Sequence, residues 1–308
     1  MYKQITRDDR VCIALLLRKQ YSHKGIALEL GFHRTTITRE IKRNSVNGEY
    51  EVWCAQRKTR DRRELSKTKY RTIENNTRGR CLVLKYLRKD WSPEQICGVF
   101  KTVSHMTIYR YINRNPKYKV LLRRHGKKRR RYGTSGVLSR YQANKRSIHE
   151  RGALPAVVGH WEGDTIVGKE RKLRIITHVD VLSGYLVAQL ADASANAVYR
   201  CAKQYLRVLP CETITYDNGS EFALHKMIEK VTKSKVYFAD PGKPQQRGAN
   251  ENVNGLLRQY FPKGSSFANI TNKDVQRAVR KLNSRPRKRL NYLTPRQVFK
   301  GGAVDVLI

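Results

Sequence analysis

GHWEGDTIVG, Gly159–Gly168, alternates apolar and polar side chains, the period of a strand that buries one face. Downstream, LRIITHVDVLSGYLVAQL (Leu173–Leu190) reads as two more strands around Ser183 and Gly184. ANAVYRCAKQYLRVL has helical spacing, and CETITYDNGSEF (Cys211–Phe222) reads as a strand that ends at Asp217, with a turn at Asn218-Gly219. A helix over residues 223–233 and a short strand, KVYFAD, follow. Three antiparallel strands and then alternating helix and strand predict a mixed α/β sheet flanked by helices.

That order of elements matches the ribonuclease H-like fold, in which three acids of this chain would meet. Asp164 lies on the first strand, Asp217 at the end of a later one, and Glu251 near the start of the helix in RGANENVNGLLRQYFPKG. Phosphoryl transfer assisted by metal needs hard oxygen ligands around one or two divalent ions. Two such ions about 3.5–4 Å apart activate the attacking oxygen and stabilise the leaving one. Arg258, seven residues after Glu251, falls two helical turns along the same face, placed to grip a phosphate. Each acid alone has an ordinary reading. Asp217 suits the first position of a turn, Asp164 a strand end, and Glu251 a surface pair with Arg247 or Arg258. Glu162 and Asp180 are rivals within the sheet, and Glu221 stands close behind Asp217. Periodicity does not choose among them.

The composition narrows the partners. In 308 residues there are 64 Lys+Arg against 25 Asp+Glu, a formal net charge of +39. Repulsion on that scale opposes a compact monomer unless a polyanion neutralises it, and nucleic acid is the default polyanion. A hydrophobic content of 39% argues for folded domains. The sequence has no signal-peptide pattern, no apolar run of membrane-spanning length and no amphipathic anchor, so a cytoplasmic protein is expected. The six cysteines are scattered without a CxxC pair, and are expected to be reduced and mostly buried.

Residues 1–60 read as a helical DNA-binding domain. In TRDDRVCIALLLRKQ, Thr6 is a candidate N-cap before an amphipathic helix. SHKGIALELGFHRTTITREIKRN (Ser22–Asn44) then gives a helix, a turn at Gly31 and a second helix with Ile37 and Ile41 facing inward, the parts of a helix-turn-helix. His33, Arg34, Thr35, Thr36, Thr38, Arg39, Lys42 and Arg43 are its candidate contacts to base edges and phosphates. Residues 75–115 repeat the grammar: WSPEQICGVF caps on Ser92 with Pro93 in the first turn, and VSHMTIYRYINRN starts at Ser104. His105, Thr107, Arg110 and Arg114 are the candidate readers there, with a packing module as the alternative. Residues 116–151, including RRHGKKRRR, form a basic linker or arm, and residues 152–308 the catalytic domain. The basic ending RPRKRLNYLTPRQVF is either a holder of flanking DNA or a stabilising tail.

HWEGDTIVG, TYDNGSEF and GANENVNGLLRQYFPKG resemble the three catalytic motifs of the IS30 family of bacterial insertion-sequence transposases. Thirty-three residues separate Asp217 from Glu251, the interval of that family's DDE triad. WSPEQI, SHMTIYRYI and LNSRPRKRLNYLTPRQVF resemble the same family, and the resemblance spans nearly the whole chain; Ala249 departs from it, standing where a hydroxyl-bearing or small residue is usual. The resemblance implies that Asp164, Asp217 and Glu251 hold Mg²⁺ (or Mn²⁺), as two ions. It further implies that the N-terminal units bind terminal inverted repeats of double-stranded DNA, and that cleavage and strand transfer into target DNA pass through a circular intermediate in the bacterial nucleoid. Joining two ends calls for a homodimer or higher homo-oligomer. An integrase or nuclease of the same fold, or a DNA-binding regulator derived from a transposase, are the alternative readings. A retroviral-type integrase normally carries an N-terminal His-His-Cys-Cys zinc module that is not readable here, a nuclease differs only in making no strand-transfer products, and a regulator would lose the acids.

Overall fold

The computed structural model describes residues 4–68, 71–101, 103–123 and 145–301. The chain divides into two compact units, Met1–Thr77 and Arg78–Ile308. The basic run at 124–144, the core of the expected arm, lies outside the described residues.

The first unit holds α1 (Arg7–Arg18), α2 (His23–Leu30), α3 (Arg34–Asn44), α4 (Val52–Thr68) and the single turn α5 (Thr72–Asn75). Thr6 starts α1 with a reciprocal cap: its side chain accepts from the Asp9 N–H, and the Asp9 carboxylate accepts from the Thr6 N–H at 2.7 Å. Gly31, at φ 66°, ends α2 in the left-handed conformation and lets α3 begin three residues later. Ile13, Ile26, Ala27 and Ile37 form the buried centre, with Ile41 and Tyr50 packed on it. The 17-residue α4, which runs past position 60, has little apolar stripe. A polar tie compensates. Arg10, only 4% exposed, donates to Glu40 of α3 at 2.7 Å, and to Gln56 and Thr59 of α4 at 2.7 and 3.3 Å.

The second unit opens with α6 (Thr77–Leu87), α7 (Pro93–Phe100) and α8 (His105–Arg114). Ser92 and Ser104 cap α7 and α8 as the sequence predicts. This helical pair is not free-standing. Gln95 donates to the Pro286 carbonyl at 2.7 Å, and Asp90 accepts from Tyr260 and Lys281 at 3.0 and 2.8 Å. The sheet comprises β1 (His160–Val167), β2 (Leu173–Asp180), β3 (Leu186–Asp192), β4 (Thr213–Tyr216) and β5 (Lys235–Phe238), in the order β3-β2-β1-β4-β5. The first three strands are antiparallel, while β4 and β5 run parallel to β1. That topology is ribonuclease H-like. On one face, α9 (Ala195–Tyr205), α10 (His225–Thr232) and Phe299 of α13 (Pro295–Gly301) cover Trp161, Ile176, Ile214 and Tyr216. On the other, α11 (Gly248–Leu257) and α12 (Asn272–Asn283) cover Ile166, Ile175 and Val179. Strand alternation therefore turns Glu162, Asp164 and Ile166 toward α11.

The ends of the expected linker are structured. Residues 116–121 form a 3-10 helix, Ser147 bridges to Phe238 beside β5, and Arg146 pairs with Glu229 at 2.6 Å. The cysteines depart from expectation: all six are free, but Cys201 alone is buried, while Cys12 and Cys81 sit on exposed helix faces. The RPRKR run is buried at Arg285 and Pro286 and half-buried at Arg287, while Lys288 and Arg289 are exposed. Arg285 donates to Tyr260 at 2.7 Å, Arg287 to the Leu282 carbonyl, and Arg289 to the Leu182 carbonyl at 2.6 Å. Burial, together with Arg285, Arg289 and Arg123 nearby, pushes the Arg287 guanidinium down to about 10. These bonds favour the stabilising-tail reading for that run. Among the described residues no helix is long and apolar enough to cross a membrane.

Candidate active site

The register of the parallel pair β1/β4 sets two of the acids side by side. Glu162 lies opposite Thr215, and Asp164 and Asp217 each stand two residues further along their strands. Both meet one cation. The Arg247 guanidinium, just before α11, lies 3.1 Å from Asp217 Oδ2 and 3.7 Å from Asp164 Oδ1, and donates to the Gly163 carbonyl at 3.1 Å. Asp164 also accepts from its neighbour's Thr165 N–H and from Asn254 Nδ2, both at 2.8 Å. Asp217 closes the turn that follows β4 by accepting from the Gly219 N–H at 2.9 Å. Burial raises the Asp164 carboxyl above the usual range, with Arg247 opposing and the charges of Asp217 and Glu221 adding to the rise.

Helix α11 is pinned to this spot. Glu162, 5% exposed, accepts from the Asn250 N–H at 2.8 Å, a carboxylate at a helix N-terminus. Four residues later on the same side of the helix, Asn254 reaches Asp164. Glu251 lies in the first turn between them, exposed, with no hydrogen bond or ion pair among the described residues. Its surface pairing with Arg247 or Arg258 is therefore not formed. Arg247 is taken by the two aspartates, and Arg258, at the end of α11, is half-buried and turned to the Val167 carbonyl at 3.4 Å. Burial lowers Arg258, with Asp164 acting in the opposite sense.

The structure thus brings Asp164 and Asp217 together and leaves Glu251 on the rim. Among the described residues no three His, Cys, Asp or Glu side chains are close enough to hold a metal ion jointly. The pair itself suits a hard cation, because its carboxylate oxygens already converge on one positive group. The rivals have other work. Asp180 is a turn anchor, accepting from the N–H groups of Gly159 and Ser183 at 2.8 Å. Glu221 accepts from Arg174 at 2.6 Å and from Thr165 at 3.0 Å, behind the aspartates.

Several contributors have no local signature in the sequence. Arg247 acts across 30 residues on Asp217 and 84 on Gly163, and Glu162 and Asn254 act across 88 and 90. Lys145, buried against the Phe238 ring at 4.5 Å, donates to the Asn218 carbonyl at 3.3 Å, and burial lowers its pKa while Asp217 and Glu221 oppose the shift. It belongs to the stretch expected to be a linker.

Of the candidate DNA contacts, Arg34, Thr35, Arg39, Lys42 and Arg43 are exposed on α3, and Thr36 and Thr38 are half-buried. His33 caps α3, its Nδ1 2.8 Å from Thr35 Oγ1, and Thr38 lies 3.4 Å from His23. On α8, His105 and Arg110 are exposed, while Thr107 is held by the Ser104 cap at 3.2 Å.

The architecture is a helix-turn-helix unit joined to a ribonuclease H-like domain. Residues 1–44 match the family described as a helix-turn-helix domain. The chain is 40% identical to the transposase for insertion sequence element IS4351 of Bacteroides fragilis, over 97% of this chain and 96% of that one. It is 33% identical to transposase InsI for insertion sequence element IS30A of Escherichia coli (strain K12), over 97% and 84%. With the transposase for insertion sequence element IS1086 of Cupriavidus metallidurans the identity is 32%, over 97% and 94%. Among solved structures, the catalytic core domain of BIV integrase aligns with 46% of this chain and 93% of its own, at a TM-score of 0.38 and 21% identity. The chain belongs to the IS30 family of insertion-sequence transposases.

Proposed function

We propose that the protein is a DNA transposase that binds the terminal inverted repeats of an insertion sequence, cleaves DNA at them and joins the freed ends to new DNA. The reading rests above all on the juxtaposition of Asp164 and Asp217 on neighbouring parallel strands, with the helix that carries Glu251 pinned beside them. Asp164, Asp217 and Glu251 would hold Mg²⁺ or Mn²⁺, as two ions, and the bound metal would supply Lewis-acid stabilisation of charge on the phosphodiester oxygens.

The chain's own residues organise the rest. Glu162 and Asn254 hold α11 against β1, so that the three carboxylates approach from a strand, a strand end and a helix. Arg247 and Lys145 keep the acids together before any substrate arrives. The first step adds water across a phosphodiester at an element end, breaking the bond to the 3′ oxygen and leaving a 3′-hydroxyl and a 5′-phosphate. In the second, that hydroxyl attacks another phosphodiester; a new 3′–5′ bond forms and the displaced 3′ oxygen leaves with a proton. Attack on the opposite end of the same element yields a circle with abutted ends, the intermediate we favour. Uniting two ends requires at least a homodimer, acting on bacterial nucleoid DNA in the cytoplasm.

The test uses Asp164→Ala, Asp217→Ala and Glu251→Ala on duplexes carrying the ends of the element that encodes the chain. Each should lose Mg²⁺-supported cleavage by 100-fold or more and keep wild-type affinity for the ends. Full cleavage by any of the three refutes its assignment. Mapping of 3′ termini and joints separates a transposase from a nuclease of the same fold, which would cut without joining.

A further inference from the structure

The first unit contains a basic groove that the helix-turn-helix does not account for. Its two longer walls are Thr36, Arg39 and Arg43 of α3 and Thr59, Arg62 and Arg63 of α4, with Gln4, Ile5 and the α1 residue Arg10 completing a volume of about 420 Å³. On α3 these three positions form one stripe beside the buried Ile37, and Arg34, Thr38 and Lys42 form another on its opposite side. The two flanks of the helix therefore present different side chains in different directions.

Charge on the groove side is unbalanced. Glu40, the acid in its lining, is consumed by Arg10 at 2.7 Å, with both side chains largely buried. Arg39 and Arg43 are exposed, and their guanidiniums have no hydrogen bond or ion pair among the described residues. Arg63 spends one nitrogen on Gln4 at 3.1 Å, and Arg62 donates to the Arg43 carbonyl at 3.1 Å, fixing α4 to the end of α3. Four guanidiniums held along one trough without an available carboxylate repel one another, and an anionic chain running between them relieves that repulsion. The helix α4 buries little apolar surface, begins after residue 44 where the helix-turn-helix match ends, and is placed by the Arg10 tie. Its position makes sense as the second wall of a phosphate site.

We propose that α3 and α4 together grip one sugar–phosphate strand of duplex DNA in this groove, while Arg34, Thr35, Thr38 and Lys42 on the other flank of α3 read the bases. The proposal rests on the reading that the N-terminal unit binds the element ends, and assigns α4 a share in it. Groove contacts set affinity for any duplex and its salt dependence; the opposite flank sets preference.

The experiment measures binding of the full chain by fluorescence anisotropy at several salt concentrations, on an end-bearing duplex and on a scrambled one. Arg39→Ala/Arg43→Ala/Arg63→Ala should weaken both duplexes by the same factor and flatten the plot of log affinity against log salt by about 0.9 for each contact removed. Thr35→Ala/Thr38→Ala should keep the slope and lose tenfold or more of the preference for the end. A matching triple lysine variant guards against misfolding: it should restore the slope at an unchanged melting temperature. A wild-type slope in the triple alanine variant, or a loss confined to the end-bearing duplex, overturns the groove. Absence of any end preference in the wild-type chain overturns the underlying reading instead, and leaves the slope on scrambled DNA to judge the groove.

Discussion

His178 offers a test of the sheet beneath the acids. It is fully buried on β2, opposite Gly163 of β1, with Nε2 2.8 Å from the Tyr216 hydroxyl, and burial pushes its imidazole from 6.5 down to about 4. The Tyr216 phenol, also buried, is held well above its usual value and stays protonated. Because the folded state keeps His178 neutral, only the unfolded chain binds a proton between pH 6.5 and 4. Stability due to this group is thus full above 6.5 and is lost as the pH falls toward 4. The slope is about 1.4 kcal/mol per pH unit, or ~3 kcal/mol over the whole interval. His178→Gln keeps a partner for the Tyr216 hydroxyl and removes the titration. The assay is hydrogen exchange of β2 amides in the wild-type chain and the variant at pH 7, 6 and 5, with the variant subtracting the response of the other acids. Wild-type stability relative to the variant should fall by roughly 2 kcal/mol between pH 6.5 and 5. Parallel pH curves would refute the claim that the imidazole is buried neutral.

Two further substitutions probe how the site is held. A Cβ at Gly163 would strike the Tyr216 ring and press on His178, so Gly163→Ala should cost about 1–3 kcal/mol by overpacking and move β1 away from Asp217. Thermal unfolding reads the first effect and strand cleavage the second, and an unaltered melting temperature contradicts the packing. Glu162→Gln replaces a carboxylate that accepts from the start of α11, at a cost of about 2 kcal/mol. Amide exchange over Asn250–Val253 should quicken, and unchanged protection there would show that the anchor is not what fixes the helix.

How much of this was legible in the sequence differs by element, for physical reasons. The strands of the sheet are legible as short apolar stretches, but helices cover both faces: Trp161 and Ile176 are buried on one and Ile166 and Ile175 on the other, so the one-face alternation expected of β1 is incomplete. Caps at Thr6, Ser92 and Ser104 are local chemistry and read directly. Helix α4 gives little signal, because a polar helix fastened by Arg10 lacks the apolar stripe on which periodicity depends. The second helical pair reads as an independent module, since its docking bonds to Pro286, Tyr260 and Lys281 come from far along the chain. At the candidate site, the positions of Asp164 and Asp217 follow from the strand pattern. Their environment does not: Glu251 is the acid nearest Arg247 in the sequence, and the pairing of Arg247 instead with Asp217 and Asp164 is made by tertiary packing.

That choice bears on how an acidic site persists in a chain of net charge +39. Asp217 and Glu221 both place negative charge against the Asp164 carboxyl and oppose its ionisation. Three cations answer them from different elements: Arg247 between the aspartates, Arg174 against Glu221 at 2.6 Å, and Lys145 over the turn after Asp217. Arg247 carries one positive charge for two carboxylates, which leaves the pair one charge short of neutral. Glu251, exposed and unpaired among the described residues, adds another negative charge on the rim. On the proposed reading, divalent cations arriving with DNA supply the missing charge. Arg247, released from the aspartates but still bonded to the Gly163 carbonyl, would then stand beside the phosphate that accompanies them. On the same reading, Arg247, Arg174 and Lys145 would hold the acids in register until that exchange.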